Sequence, residues 1–352
     1  MRIGLIGAGR IGAFHSATLI RLPAVEELVV ADVDPARARA LADRLTGATA
    51  ARSVDALFDR GPRGHGLDGL VVAAATDAHA ELVTRAVSAG LPVFCEKPIA
   101  VDISGTLDVL AEVRRTGVPV QVGFQRRFDA GHVAAREAVA SGRLGWVHTL
   151  RSCTLDPAPP PREYVPHSGG LFRDCVIHDV DAVRFVTGQE VMEVIAVGAN
   201  KGDAYFREFR DVDTAAAVLT LKDGTLALSS ATRYNAAGYD VRLEVLGSQD
   251  SIIAGLDGRT PLTRLPSADA EGSAAGAAHT DDAHRRAAAY GGFLERFADA
   301  YAAELAAFTQ VVAGRMETPC PPEDALEAFY VAEACEMSRR EGRSVLVKEV
   351  RS

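Results

Sequence analysis

The sequence has no run of apolar residues approaching the ~18 that a membrane-spanning helix needs, so no membrane is expected. Cysteines are few and odd in number: Cys95, Cys153, Cys175, Cys320 and Cys335, with no C-x-x-C pair among them. That spacing excludes a dithiol redox motif and a zinc module, and reads as buried or incidental thiols in a reducing compartment. Positive charge is in the minority, with 38 Lys plus Arg against 47 Asp plus Glu and a formal net charge of −9. An acidic surface repels phosphate backbones, which excludes a nucleic-acid partner. No signal peptide is visible, because Met1 leads straight into strand-like sequence, so a cytoplasmic protein is expected. No internal repeat is present.

What remains is an ordinary globular composition, 48 % hydrophobic over 352 residues. That length predicts two domains, each able to bury its own core. Short apolar strands (Arg2 to Ile6, Glu27 to Val33, Leu67 to Ala75, Leu91 to Cys95, Val118 to Val122) alternate with helical stretches. Nearly all-apolar strands between helices predict a parallel sheet covered on both faces, a doubly wound domain over residues 1–122. From residue 123 to 352 the pattern changes. Longer strands follow one another (Trp146 to Thr154, Glu190 to Ala199, Ala215 to Leu221, Thr225 to Tyr234, Val241 to Gly247), and Lys222-Asp223-Gly224 signals a hairpin. This predicts a second α/β domain with a mostly antiparallel sheet. It also holds a helix over Phe172 to Val186, a stiff Pro157-to-Pro161 loop, and a loop or weak helix over Ala268 to Ala289. Two long helices follow, over Leu294 to Val312 and Glu323 to Arg340.

Gly7-Ala8-Gly9-Arg10-Ile11-Gly12 lies between a predicted strand and a predicted helix, the context that gives G-x-G-x-x-G meaning. The glycines allow a tight turn, close approach of a pyrophosphate, and helix–strand packing. The helix start at Arg10 and Ile11 offers free N–H groups to phosphate. Asp32 ends the next strand, where an acid binds the ribose hydroxyls of NAD and repels the extra phosphate of NADP. Asp34 adds to that repulsion, and Arg37 and Arg39 are the NADP-side alternative. Thr76 and His79 follow a strand end and either line the nicotinamide side or cap the next helix. Glu96-Lys97-Pro98 ends a later strand at the same sheet edge. Lys97 is placed to exchange a proton with a substrate hydroxyl, and Glu96 to hold it or touch the cofactor. The alternative is a surface Glu–Lys pair.

In the second half, Asp174 and His178 stand four apart on a predicted helix, so they share one face. A carboxylate beside an imidazole suits a general base. The same spacing suits a metal, but no further His or Cys clusters nearby, and no metal is expected. A capping and salt-bridge pattern on a surface helix is the plain alternative.

Together with Gly123-Phe124-Gln125-Arg126-Arg127-Phe128, these motifs occur in one order that resembles the Gfo/Idh/MocA oxidoreductases, and within them the inositol 2-dehydrogenases. The resemblance covers nearly the whole chain. It implies an N-terminal Rossmann domain and a C-terminal α/β domain with an open, largely antiparallel sheet whose exposed face builds homo-oligomers, dimers or tetramers. It implies Lys97, Asp174 and His178 as the catalytic group, Arg127, Asp156 and Tyr239 as substrate contacts, and a cis bond before Pro98. The expected activity is NAD-dependent oxidation of a cyclic polyol, myo-inositol to its 2-keto form. The alternatives are a relative acting on scyllo-inositol, an aminocyclitol precursor or a hexose, and a non-catalytic cofactor-sensing protein. Pro157 to Pro161 and Arg173 depart from the inositol pattern.

Overall fold

The computed structural model describes residues 1–59, 66–262 and 288–351. The expected loop or weak helix over Ala268 to Ala289 lies, as far as residue 287, outside them. The chain divides into two compact units, one of Met1–Ala130 with Phe297–Val331, the other of Gly131–Arg296 with Ala332–Ser352.

The first unit holds a six-stranded parallel sheet: β1 (Arg2–Ile6), β2 (Glu27–Ala31), β3 (Ala48–Ala50), β4 (Gly69–Val72), β5 (Val93–Glu96) and β6 (Val120–Gly123). Its order is β3-β2-β1-β4-β5-β6. Between strands run the helices α1 (Arg10–Leu19), α2 (Pro35–Ala42), α3 (Thr76–Ser88) and α4 (Ile103–Thr116). Their ends follow local chemistry. Asp34 Oδ1 accepts from Ala36 N–H at 2.9 Å and Pro35 opens α2. Asp102 Oδ1 accepts from Gly105 N–H at 2.7 Å, and Gly117 closes α4 in the left-handed conformation.

The chain leaves this unit after Ala130 and returns to it. The helix Ala298–Val312 sends Leu305 and Phe308 into the core formed by Ile3, Leu5, Leu28, Val30, Val71 and Phe94. Sequence alone did not give this return, because an amphipathic helix does not state which sheet its apolar face will meet. The expected single helix from Leu294 is two, Phe293–Arg296 and Ala298–Val312, broken at the buried Phe297 with φ −111° and ψ 21°.

The second unit is built on a seven-stranded mixed sheet, with α5 (Ala130–Ala140) leading into it. The strands are β7 (Val147–Leu155), β8 (Val191–Ala199), β9 (Thr214–Leu221), β10 (Leu226–Thr232), β11 (Asp240–Gly247), β12 (Ser251–Ala254) and β13 (Val345–Leu346). Their order is β12-β11-β7-β10-β9-β8-β13, and every pairing is antiparallel except β7 with β10. The hairpin over Lys222-Asp223-Gly224 is present, with Leu221 N–H donating to the Thr225 carbonyl at 2.9 Å.

Alternation assigns the faces. Ala215, Ala217, Leu219 and Leu221 of β9 are buried, while Val218 between them is exposed. The covered side meets α6 (Ile177–Thr187), where Thr154 Oγ1 of β7 donates to Asp179 Oδ2 at 2.8 Å. The helix expected from Phe172 does not begin as an α-helix. Phe172–Val176 form a π turn, and α6 continues from Ile177.

Candidate active site

In the first unit, β1 ends at the point where the strand order reverses, the place where open parallel sheets bind ligands. The three glycines meet three different demands. Gly7 has φ +105°, and a Cβ there would sit 2.4 Å from the Ala73 carbonyl oxygen. A Cβ on Gly12 would lie 1.8 Å from the Gly7 carbonyl oxygen, so only glycine lets α1 pack so close to the loop. A Cβ on Gly9 would meet nothing within 4 Å, the open approach a pyrophosphate requires. Arg10 and Ile11 begin α1, with Gly9 as its extended N-cap and no acidic residue in the first turn. That leaves the positive end of the helix for an anion.

Asp32, mostly buried, accepts from Ala8 N–H at 2.7 Å on one carboxylate oxygen and from Asp34 N–H at 2.9 Å on the other. The acid therefore shapes the glycine loop. Each oxygen keeps a lone pair for a hydroxyl donor. The glycine cradle, free helix start and terminal acid together fit a dinucleotide.

Around Lys97 the parts are also ordered. The Lys97–Pro98 peptide bond is cis, and Lys97 is half-buried. Glu96 Oε1 lies 2.6 Å from Nε2 of the fully buried His15, a partner 81 residues away that the sequence did not indicate. His79 Nδ1 is 2.7 Å from the Pro98 carbonyl, and its Nε2 is 3.1 Å from the Ala74 carbonyl. This ring ties the turn after β4 to the turn after β5. Thr76 is the first residue of α3, and Ala75 stands at its N-cap. Arg127 is buried, and its Nη1 donates to Asp324 Oδ2 at 2.7 Å and to the Pro319 carbonyl at 3.2 Å. Burial and the Glu96 charge raise the Cys95 thiol well above its ordinary value.

In the second unit, Asp174 sits in the π turn and His178 one step into α6. Such turns inside helices recur at functional sites because they re-aim a side chain. Arg233, next after β10, donates from Nη2 to Asp174 Oδ2 at 2.7 Å and from Nη1 to Asp156 Oδ2 at 2.9 Å. Nη1 is also 3.0 Å from Cys175 Sγ. Tyr164 donates its hydroxyl to Asp174 Oδ1 at 3.1 Å. Burial raises the Asp156 carboxyl above its usual range, against the pull of Arg233. Desolvation, then the Asp174 charge, raises the Tyr164 phenol, which stays a donor. Tyr239, buried just before β11, donates its backbone N–H to the Tyr290 carbonyl at 2.9 Å. Among the described residues, no group of three or more His, Cys, Asp or Glu is placed to hold a metal ion. None of their helices is long and apolar enough to cross a membrane.

Residues 1–124 match the oxidoreductase family with an NAD-binding Rossmann fold, and residues 132–253 match the GFO/IDH/MocA C-terminal domain. The chain belongs to the GFO/IDH/MocA oxidoreductases. A myo-inositol dehydrogenase of Streptomyces leeuwenhoekii is 39 % identical over 97 % of this chain and 98 % of its own. The crystal structure of a myo-inositol dehydrogenase from Corynebacterium glutamicum shares 36 % identity and a TM-score of 0.85, covering 98 % of both chains. A scyllo-inositol dehydrogenase from Lactobacillus casei, solved with NAD(H) and scyllo-inositol, is 26 % identical with a TM-score of 0.85, covering 99 % of both chains. The chain is thus an NAD-binding oxidoreductase, and its first unit is the Rossmann module.

Proposed function

We propose that the protein oxidises a ring hydroxyl of a cyclitol with NAD, and that its substrate is myo-inositol, converted to the 2-keto inositol. The observation that carries this reading is the acid-rich group of the second unit, where Asp156 and Asp174 share one guanidinium and Asp174 stands four residues before His178. A polyol ring presents many hydroxyls, and its site needs several convergent polar groups. The likeness to relatives named for myo-inositol supports the substrate.

His178 takes the hydroxyl proton, and Asp174 balances the charge that His178 gains. Lys97 is the proton-handling residue proposed in the first unit. Asp156 and Tyr239 of the second unit, and Arg127 of the first, are the proposed substrate contacts. Gly7, Gly9, Arg10, Ile11, Gly12 and Asp32 hold the cofactor, with Thr76, His79 and Glu96 at its nicotinamide side. When bound, NAD supplies the hydride acceptor.

The protein works as a homo-oligomer in the cytoplasm. Ile195, Val218 and Leu228 stand side by side across β8, β9 and β10, 52 %, 38 % and 42 % exposed. An apolar row on an open sheet face supports self-association. Cys95, Cys153, Cys175, Cys320 and Cys335 are all buried, which suits a reducing compartment.

The test is a substrate panel. Protein and NAD are mixed with myo-inositol, scyllo-inositol, other inositols and hexoses, and absorbance of the reduced cofactor is followed. Turnover highest with myo-inositol is the expected result. Preference for scyllo-inositol or a hexose overturns the substrate, and tight NAD binding with no turnover on the whole panel replaces the enzyme with a sensor.

A further inference from the structure

We infer that Arg233 is a positioning residue: it sets the relative placement of the two acids, Asp156 and Asp174, that the proposed cyclitol chemistry uses. The inference rests on the reading above.

The argument begins in the sheet register. β7 and β10 run parallel, with Leu155 opposite Thr232 as their last pair. The next residue on each strand is Asp156 and Arg233. Backbone bonds continue the pairing past the strand ends, with Asp156 N–H donating to the Thr232 carbonyl at 2.9 Å and Asn235 N–H to the Asp156 carbonyl at 2.7 Å. Arg233 N–H donates to the Asp213 carbonyl at 2.8 Å, which fixes the arginine from its other side. A cation and an anion are therefore placed abreast at one sheet edge by register alone.

The third member arrives from a different element. Asp174 is carried by the π turn, and Arg233 reaches it with the second nitrogen of its fork. The Arg233 side chain is 5 % exposed, and its two terminal nitrogens are divided between the two acids. A planar, always-charged fork can hold two carboxylates at a fixed spacing, which a single ammonium cannot. Burial alone would lower the arginine pKa, while Cys175, Asp174 and Asp156 push it above its ordinary value. The charge is thus a permanent fixture.

The engaged atoms leave a defined working surface. Asp156 spends Oδ2 on Arg233, and among the described residues no hydrogen bond involves its Oδ1. Asp174 has Arg233 on one oxygen and Tyr164 on the other. One acid held for a ring hydroxyl and the other held beside the general base, both locked to one guanidinium, suit a rigid ring, whereas a flexible open-chain alcohol gains less from the fixed spacing. Arg233 itself is not assigned contact with the substrate; its effect passes through the acids.

The experiment compares wild type with Arg233→Lys and Arg233→Gln by NAD affinity, kinetics with myo-inositol, and crystal structures. A misplacement of about 1 Å can cost ~100-fold in rate. Arg233→Gln is expected to lose ~100-fold in kcat, with a smaller rise in KM and unchanged NAD affinity. Its crystal structure is expected to show Asp174 turned away from Asp156. Removing a buried cation from two acids invites misfolding, so Arg233→Lys is the second variant. It keeps the charge, is expected to fold, and is expected to recover only part of the loss. Wild-type kcat in either variant, or both carboxylates unmoved in its crystal structure, overturns the inference. If wild type oxidises no cyclitol, the substrate reading falls, and the carboxylate positions in the variant structures still decide the role of Arg233.

Discussion

Arg233 Nη2 lies 2.7 Å from Asp174 Oδ2, joining residues 59 apart in sequence. Asp174 is also held by Tyr164, from the segment that follows Pro157 to Pro161. The two partners are unequal. One is a buried cation; the other is a neutral phenol on a side chain that is 44 % exposed. Tyr164→Phe removes one hydrogen bond to a carboxylate and is therefore expected to reduce kcat by ~10-fold, the lower end of the range for bonds to charged groups, and by less than Arg233→Gln. Steady-state kinetics check this, and a loss as large as that of Arg233→Gln would contradict the ranking.

Asp32 has a structural role in the glycine loop, and a second, ribose-binding role is proposed for it. Asp32→Ala removes the acceptor for Ala8 and Asp34 N–H and the acid at the ribose position. Hydrogen bonds to a charged group are worth about 1.5–3 kcal/mol, so NAD affinity is expected to fall ~10-fold to ~150-fold. NADP should lose less, because the repulsion of its phosphate goes with the acid. Fluorescence titration with both reduced cofactors measures the ratio, and an equal loss for the two would contradict the assignment.

Gly12 tolerates no side chain. Its Cβ would stand 1.8 Å from the Gly7 carbonyl oxygen, a backbone atom that cannot rotate away. Gly12→Ala is expected to destabilise the first unit by about 1–3 kcal/mol through overpacking and to abolish NAD binding. Denaturant melts and cofactor titration test the pair of effects. Gly9→Ala, by contrast, meets open space in the free protein, so it should keep stability and lose affinity.

The Cys153 thiol is predicted to be silent in the folded state. Burial, then the Asp240 charge, pushes the Cys153 thiol up to about 11, so it is neutral below that pH and ionises only as pH rises through it. Only the thiolate attacks, so alkylation at pH 8 should be slow and climb with pH, whereas denatured protein should react at once with its five cysteines. Fast alkylation of Cys153 itself in the native protein at pH 8, read by peptide mass, would contradict its burial.

The sheet face makes a separate prediction. Val218 lies opposite Ile195 on one side and Leu228 on the other. Val218→Lys would place a charge in the centre of that row. Size-exclusion with light scattering is expected to show wild type as an oligomer and the variant as a smaller species. A wild-type monomer would remove the self-association reading.

Much of the fold was legible because its signals are local. The glycine loop, the Asp34–Pro35 helix start and the Asp223–Gly224 hairpin each depend on a few adjacent residues, and each is present. Short β3, β12 and β13 were not legible, since none lies in an apolar run as long as those that marked β4 and β5. Asp174 and His178 were visible by spacing, but the π turn that carries Asp174 was not, because the amino-acid pattern of one wide turn matches that of an α-helix. Arg233 was hidden for a different reason. Its meaning comes from lying next to Asp156 across a parallel pairing, and strand register between residues 77 apart is a property of the folded sheet. His15 beside Glu96 was hidden in the same way.

The central claim is hydride transfer from a cyclitol ring carbon to NAD. Its most direct test is to incubate the purified protein with NAD and myo-inositol deuterated at C2, then measure the mass of the reduced cofactor. One deuterium gained by the cofactor, at a rate that falls in Lys97→Ala and His178→Ala, is the predicted result. Reduced cofactor without deuterium would move the reaction to another ring carbon. No reduced cofactor from myo-inositol or any other cyclitol would contradict the account.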